Sequence, residues 1–362
     1  MFCLGADVNF NRSHRGMCCS QQDPGREPAT STMRKGVRTI SVTAPARLHL
    51  GFLDMNGSRG RRFGSVGLTL DGPCVELSSQ RAASFAIAGE QSARAERFAN
   101  AVRSRFNLPD DFQLTISRTI PEHVGLGSGT QLGIAVGIAL ARLYRLDVSV
   151  REIALVVQRG QRSGIGAAAF EVGGFLVDGG KGASDDPPPI VSRVEFPADW
   201  RVLLVLERAT HGLHGELEIA AFQALPAFPE TLASHLCRLM LMQALPALAE
   251  HDIQCFGSAI GELQRITGDY FAPAQGGRFA SPAVAEALAW IESQGIAGVG
   301  QSSWGPTGFA IVAGEDRAAE LARTAQSRWG DGGPLQFMVC GGRNRGGEVE
   351  VAALARASAS LR

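Results

Sequence analysis

The sequence predicts an α+β or α/β protein of two domains. Strand-type runs alternate with helix-type runs in both halves. The chain has 362 residues, enough for two full cores. Asp178 to Pro189, with Gly-Gly, Asp-Asp and consecutive prolines, reads as the boundary between them. The expected organisation is a tail over 1–37, a first domain over 38–188 and a second over 189–355. The tail mixes Arg, Ser, Gln, Pro and Cys without periodicity and has no apolar core of a signal peptide. It reads as disordered, or as lying upstream of a start at Met33.

Thr39 to Thr43 alternates as a strand, the loop Ala44-Pro45-Ala46-Arg47 follows, and Leu48 to Leu53 extends again. Strand signals recur at Val66–Leu70, Val75–Ser78 and Phe85–Ile87. Ala93 to Phe106 has helical amphipathicity. The strand run Phe112–Ile120 leads into Pro121–Thr130, a glycine loop, and the apolar helix Gln131–Leu143 leads out. Ser149 and Glu152 form a capping box for a helix to about Arg159. A second glycine turn, Arg162-Ser163-Gly164-Ile165-Gly166, precedes the apolar run Ala167–Val177. Beyond the boundary, strands are expected at Ile190–Phe196 and Trp200–Leu206. Helices are expected at Gly215–Ala224, Glu230–Leu245 and Asp252–Thr267. Ser281-Pro282 opens another, with proline at the first helical position. Short strands at Ile296–Val299 and Phe309–Val312 flank a third glycine loop. A helix over Asp316–Arg328 and a strand over Leu335–Cys340 complete the ordered part.

Thirty-five basic residues balance thirty-five acidic ones. Nothing global therefore points to nucleic acid or a membrane surface, and any anion binding must be local. No apolar stretch has the length of a membrane span. Seven scattered cysteines without a CxxC pair argue for reduced thiols in a cytoplasmic protein, against a disulfide framework or structural zinc.

Four segments carry candidate chemistry. In Ala44–Asp54, Arg47 and His49 lie two residues apart on one strand face, where they can meet a phosphate or carboxylate. In Gly125-Leu126-Gly127-Ser128-Gly129-Thr130, glycines turn backbone amides inward at a helix N-terminus, which is an anion cradle. It lacks the Walker A lysine, so further cations are needed; Arg61, Arg62 and Arg162 are the candidates, alongside a divalent metal. Gly298–Gly308, with Gln301, Ser302, Ser303 and Trp304, suits either a hairpin or a ligand loop. His211 and His214 lack the HExxH spacing of a zinc site. There is no GxSxG elbow, and Asp110-Asp111 reads as a turn.

In order along the chain, the first three segments resemble the motifs of the GHMP kinase superfamily, over roughly residues 39–350. That resemblance implies an α+β, GHMP-type two-domain fold: a ribosomal-S5-like N-terminal domain and a ferredoxin-like C-terminal domain. The kinases typically read Gly-Leu-Gly-Ser-Ser-Ala in the cradle, where this chain reads Gly-Leu-Gly-Ser-Gly-Thr. Many also carry a catalytic aspartate after Ser-Gly-Ile/Val, where this chain has Gly166. A glycine cannot take a proton from an attacking hydroxyl. Ala44–Asp54, Gly125–Leu132, Arg162–Gly166 with Phe170–Phe175, and Gln301–Pro306 are more closely similar to the β-ribofuranosylaminobenzene 5′-phosphate synthase family.

That family resemblance implies a phosphoribosyltransferase joining 5-phosphoribosyl 1-diphosphate to 4-aminobenzoate or 4-hydroxybenzoate. Carbon dioxide and diphosphate are released, opening the aromatic arm of methanopterin-type one-carbon cofactors. It also implies Mg²⁺ and a homodimer. Arg47, His49 and Arg162 are then the expected catalytic residues. Gly125 to Thr130 with Arg61 and Arg62 are the expected phosphate binders, and Gln301, Ser302, Ser303 and Trp304 line the substrate. An ATP-dependent kinase of the same fold, or an inert sensor of a phosphorylated metabolite, are the alternative readings.

Overall fold

The computed structural model describes residues 38–208, 225–303 and 305–353. The tail over 1–37, the helix expected at Gly215–Ala224, His211, His214 and Trp304 lie outside the described residues. Those described belong to one compact unit beginning at Gly36. They contain two sheets with helices, as the α+β class requires.

The first sheet is built on two long strands, β1 (Arg38–Asp54) and β2 (Phe63–Arg81). Each fuses segments that read as separate strands in the sequence. The expected loop at Ala44–Arg47 is instead part of β1. Register shifts between Pro45 and Arg47, and between His49 and Gly51, take up the irregularity. Bulges of this kind accommodate a proline and re-aim the neighbouring side chains. The sheet has seven strands. Its main path runs β11 (Glu348–Ala353), β1, β2, β4 (Phe112–Arg118), β3 (Ala86–Gly89). Off that path, β5 (Phe175–Asp178) pairs with β2, and β6 (Ile190–Val194) with β5. Both β6 and β11 lie beyond the boundary expected at residue 188 yet pair into this sheet. β11 has no counterpart among the expected strands.

Against the sheet lie α1 (Ser92–Phe106) and α2 (Ser128–Leu143). Nearly every residue of α2 is buried, consistent with a helix that is apolar all round. α3 (Val150–Val156) starts at the expected capping box: Glu152 N–H donates to Ser149 Oγ, and Ser149 N–H donates to the Glu152 carboxylate. The apolar run Ala167–Val177 divides into α4 (Ile165–Glu171) and β5, because Gly173 and Gly174 take positive φ and turn the chain.

The second sheet is antiparallel and four-stranded: β10 (Leu335–Gly341), β7 (Trp200–Glu207), β9 (Gly308–Ala313), β8 (Val299–Gln301). Helices Pro282–Ser293 and Glu315–Ala325 pack on it, and their buried Val284, Leu288, Ala318 and Leu321 share a core with Leu203 and Val312. The long helix Ile253–Gln275 runs two turns past its expected end, and its buried Phe256, Ile260 and Leu263 belong to the larger core around β1. One helical stretch, Glu230–Ala249, is long and apolar enough to pass the length and composition test for a membrane span. Leu236, Leu239, Met240, Ala244 and Leu248 within it are core residues, while Leu241 and Met242 are exposed, so one face of it packs on the core.

Candidate active site

The three glycine-bearing motifs converge on one hydroxyl. Ser302 is fully buried, and its Oγ accepts from the His49 backbone N–H at 3.0 Å. The same oxygen donates to the Gly125 carbonyl at 2.8 Å. Ser303 N–H returns to the His49 carbonyl, and Ser302 N–H to the Thr307 carbonyl. Arg47 adds a further tie: its N–H donates to the Leu126 carbonyl, and its Nη1 donates to the Gly125 carbonyl at 2.6 Å. Arg47 therefore shapes the cradle by holding its backbone. Residues more than 250 positions apart are fixed to one another by buried hydrogen bonds of good geometry.

The cradle opens α2 as expected. Thr130 and Gln131 turn their amides back to the Gly127 carbonyl, while those of Ser128 and Gly129 meet no acceptor among the described residues. Beside it stands the second glycine turn. Gln131 Nε2 donates to the Gly166 carbonyl at 2.8 Å, and a Cβ placed on Gly166 would come within 2.7 Å of Thr130 Cγ2. The threonine methyl thus occupies the room a side chain at 166 needs. Asp178 organises this turn from below. Its buried carboxylate accepts from Ser163 Oγ and Gly164 N–H through one oxygen, and from Ser65 and Gly180 N–H through the other. Arg162 stands half-buried directly ahead of the turn.

Cations reach the cradle from residues the sequence reading did not single out. A Cβ on Gly129 would lie 2.2 Å from Arg94 Nη2 and 3.1 Å from Arg159 Nη2, so both guanidinium groups stand against the first turn of α2 and would have to shift to admit a side chain there. Glu122 steadies Arg94 with an ion pair at 3.1 Å. Arg159 has no such partner at its buried Nε among the described residues. Burial, then the charges of Arg94 and Arg97, pull its guanidinium below the usual arginine value. Like charges gathered at a helix N-terminus favour an anion there. The expected Arg61 and Arg62 are engaged elsewhere. Arg61 donates to the Gly179 and Gly180 carbonyls, and Arg62 to the Met55 carbonyl while lying over Phe63. None of these contacts involves the cradle.

On the other side of the Ser302–Ser303 loop lies a narrow cleft with about 30 Å³ of water-sized space, below the range of small-molecule sites. His49, Phe52, Phe271, Gln301 and Ser303 are among its walls. Gln301 is held by its own network: its Oε1 accepts from Ala280 N–H, and its N–H donates to Gln264 Oε1. Gln264 in turn donates to the Leu50 carbonyl. His49 is buried edge-on against Phe52, at 4.7 Å between centroids, and its Nδ1 has no partner among the described residues.

Burial, reinforced by the Arg47 charge, holds the His49 imidazole down to about 3 from an ordinary 6.5. It is therefore a neutral ring at physiological pH, not a standing proton donor to diphosphate. In the unfolded chain it takes up a proton near pH 6.5, but in the native site only near pH 3. Between those values the unfolded state holds the extra proton, so stability falls as pH falls. From pH 6.5 to pH 5 this one group is expected to cost about 2 kcal/mol. Urea unfolding at pH 7 and pH 5 should show that loss in the parent and not in His49→Asn; equal losses in both would assign the slope to other groups.

Comparison with known proteins follows this geometry. The GHMP kinases N terminal domain matches residues 93–174, and the GHMP kinases C terminal domain matches residues 244–331. The β-ribofuranosylphenol 5′-phosphate synthase of Methanothermobacter thermautotrophicus is 32% identical over 329 residues, 85% of this chain and 97% of that protein. The Archaeoglobus fulgidus protein of the same name is 33% identical over 326 residues, 86% of this chain and 100% of its own. Among solved structures, a homoserine kinase from Cytophaga hutchinsonii aligns with a TM-score of 0.61 at 16% identity, covering 90% of this chain and 100% of that one. A mevalonate diphosphate decarboxylase from Staphylococcus aureus aligns with 0.61 at 14% identity, covering 87% and 98%. At those identities the solved structures share the fold alone. With identities of 32% and 33% running nearly the full length of both archaeal proteins, the chain belongs to the β-ribofuranosylphenol 5′-phosphate synthase family, within the GHMP fold.

Proposed function

We propose that the protein is a decarboxylating phosphoribosyltransferase. The anomeric carbon of 5-phosphoribosyl 1-diphosphate joins the ring carbon that carries the carboxylate of 4-hydroxybenzoate or 4-aminobenzoate. The bond to the diphosphate oxygen breaks with that step. The bond from ring to carboxylate then breaks, its electrons return to the ring, and carbon dioxide leaves. The sum requires no added proton and no base to activate a hydroxyl. The name of the curated relatives is that of a ribofuranosylphenol product, which favours the hydroxy acid. Such a product would begin the aromatic arm of a methanopterin-type cofactor.

One observation carries the reading: at the cradle, room for a catalytic carboxylate has been exchanged for room for arginines. Thr130 fills the space beside Gly166, and Gly129 admits Arg94 and Arg159. Positive charge fixed beside free amides suits a departing diphosphate, which gains charge as it leaves. Arg47 and Ser302 hold the loop in place for it. Mg²⁺ belongs to the proposal as a companion of the substrate's phosphates. Among the described residues no three His, Cys, Asp or Glu side chains gather to hold a metal, so the diphosphate oxygens would supply most of its ligands. The family resemblance extends the proposal to a homodimer in the cytoplasm.

The test is release of labelled carbon dioxide from carboxyl-labelled 4-hydroxybenzoate or 4-aminobenzoate, dependent on phosphoribosyl diphosphate and Mg²⁺. ATP consumption with an alcohol, and no carbon dioxide from either acid, would overturn the reading. Arg159→Ala is expected to raise KM for phosphoribosyl diphosphate at least tenfold, the loss of one charge-assisted contact. An unchanged KM would remove Arg159 from the phosphate site.

A further inference from the structure

We infer that Asp178 is a positioning residue for the phosphate cradle, acting through the Ser163–Gly166 turn. The inference deepens the synthase reading and rests on it: it names the group that fixes the cradle from the side of the first sheet. Asp178 ends β5 and is 1% exposed. A carboxylate so enclosed is costly unless its oxygens are bonded. Four donors meet it. Oδ2 accepts from Ser163 Oγ at 3.2 Å and from Gly164 N–H at 2.9 Å. Oδ1 accepts from Ser65 N–H and Gly180 N–H, each at 2.9 Å. One oxygen thus belongs to the turn, and the other to the backbone of β2 and of the glycines after β5.

The turn passes this anchorage on to the cradle. Ser163 Oγ also accepts from Ile165 N–H at 3.3 Å, where α4 begins. Ile165 lies hard against β2, since a Cβ on Gly67 would come within 2.3 Å of its Cγ2. One residue on, the Gly166 carbonyl accepts from the buried Gln131 Nε2, and Gly166 backs onto the Thr130 methyl. Thr130 and Gln131 are the residues whose amides close onto the Gly127 carbonyl. Between them and Gly127 stand the amides of Ser128 and Gly129, which face the proposed phosphate. A shift of the turn is therefore felt in the first turn of α2. Supporting hydrogen bonds of this kind hold a binding site to its geometry.

The position calls for a carboxylate in particular, because an ionised aspartate accepts at both oxygens. Asp178→Asn keeps the shape and changes one acceptor into a donor. Ser65 and Gly180 present two fixed N–H groups, so the amide oxygen belongs on their side. The amide NH2 then faces the turn. The Ser163 hydroxyl can rotate to accept from it, but Gly164 N–H is left without its acceptor. The damage is confined to the turn.

Asp178→Asn is tested with inorganic diphosphate and Mg²⁺ as the probe. In calorimetric titration the affinity should fall about tenfold. In turnover, KM for phosphoribosyl diphosphate should rise by a similar factor, with KM for the aromatic acid within about twofold of the parent. Gln131→Met, which cuts the link to the Gly166 carbonyl, should weaken diphosphate in the same direction. The double variant should lose less than the two effects multiplied together. A carboxylate that serves folding alone would lower the unfolding midpoint and leave the affinity of the folded protein unchanged. That result, or independent effects of the two substitutions, would overturn the inference and leave the synthase reading standing. If Asp178→Asn does not fold, Ser163→Ala decides, since it removes one half-buried hydroxyl from the same anchorage. Diphosphate about threefold weaker would support the inference, and unchanged affinity would overturn it. If the parent binds diphosphate in an Asp178-dependent manner but releases no carbon dioxide, the reaction falls and the inference stands. If the parent binds no diphosphate, the inference falls with the cradle.

Discussion

Ser302→Ala is expected to lower kcat/KM on the order of a hundredfold and to cost about 2 kcal/mol of stability. The hydroxyl is buried and does two things at once: it accepts from His49 N–H and donates to the Gly125 carbonyl. Without it the His49 amide has no acceptor in an enclosed site, which accounts for the stability loss. The Gly125 carbonyl keeps Arg47 Nη1, so the cradle is loosened and not abolished. The larger effect is positional. A strand from the beginning of the chain and loops from farther along meet at this oxygen, and a displacement of about 1 Å between reacting groups is enough for a hundredfold loss. Urea unfolding and carbon dioxide release measured on one preparation would separate the two effects. Activity within threefold of the parent would mean that the loops are held together without Ser302.

The same buried hydroxyl shows where sequence reading succeeds and where it stops. The cradle, the Arg47–His49 pair and the Gln301–Ser303 loop are legible because glycine spacing and strand alternation are local signals. Ser149 with Glu152, and Ser281 with Pro282, are likewise short-range devices, and both caps form. The Ala44–Arg47 segment reads as a loop because proline interrupts alternation, while long-range pairing with β2 keeps it in the sheet through a bulge. The groups that were not legible act across large separations. Asp178 reaches Ser65 over 113 positions, and Gln264 reaches Leu50 over 214. Arg94 and Arg159 lie on ordinary amphipathic segments, and nothing in their spacing marks them. The one available signal was Gly129 itself, where the kinase pattern has serine: a missing side chain implies that something else occupies its place.

Gly166→Asp, which restores the kinase residue, is expected to destabilise the protein by about 3 kcal/mol without creating a kinase. The new Cβ would sit 2.7 Å from Thr130 Cγ2. The turn has little freedom to retreat, since Gln131 holds the Gly166 carbonyl and Asp178 holds Gly164. Overpacking of this kind costs about 1–3 kcal/mol, and a carboxylate introduced without a partner adds to it. Thr130→Ala, the residue typical of the kinases, removes the methyl that causes the clash. The double variant is therefore expected to recover most of the loss, giving a coupling energy of about 1–2 kcal/mol in a double-mutant cycle. Phosphoryl transfer should still be absent from it, because Arg94 and Arg159 continue to occupy the approach at Gly129. Additive effects of the two substitutions would show that Thr130 and Gly166 do not share this space. ATP-dependent phosphorylation by the double variant would show that the missing aspartate alone separates this site from its kinase relatives. Recovered stability with no kinase activity is the result expected if the cradle has been rebuilt around arginines, with the threonine and the two glycines as parts of one change.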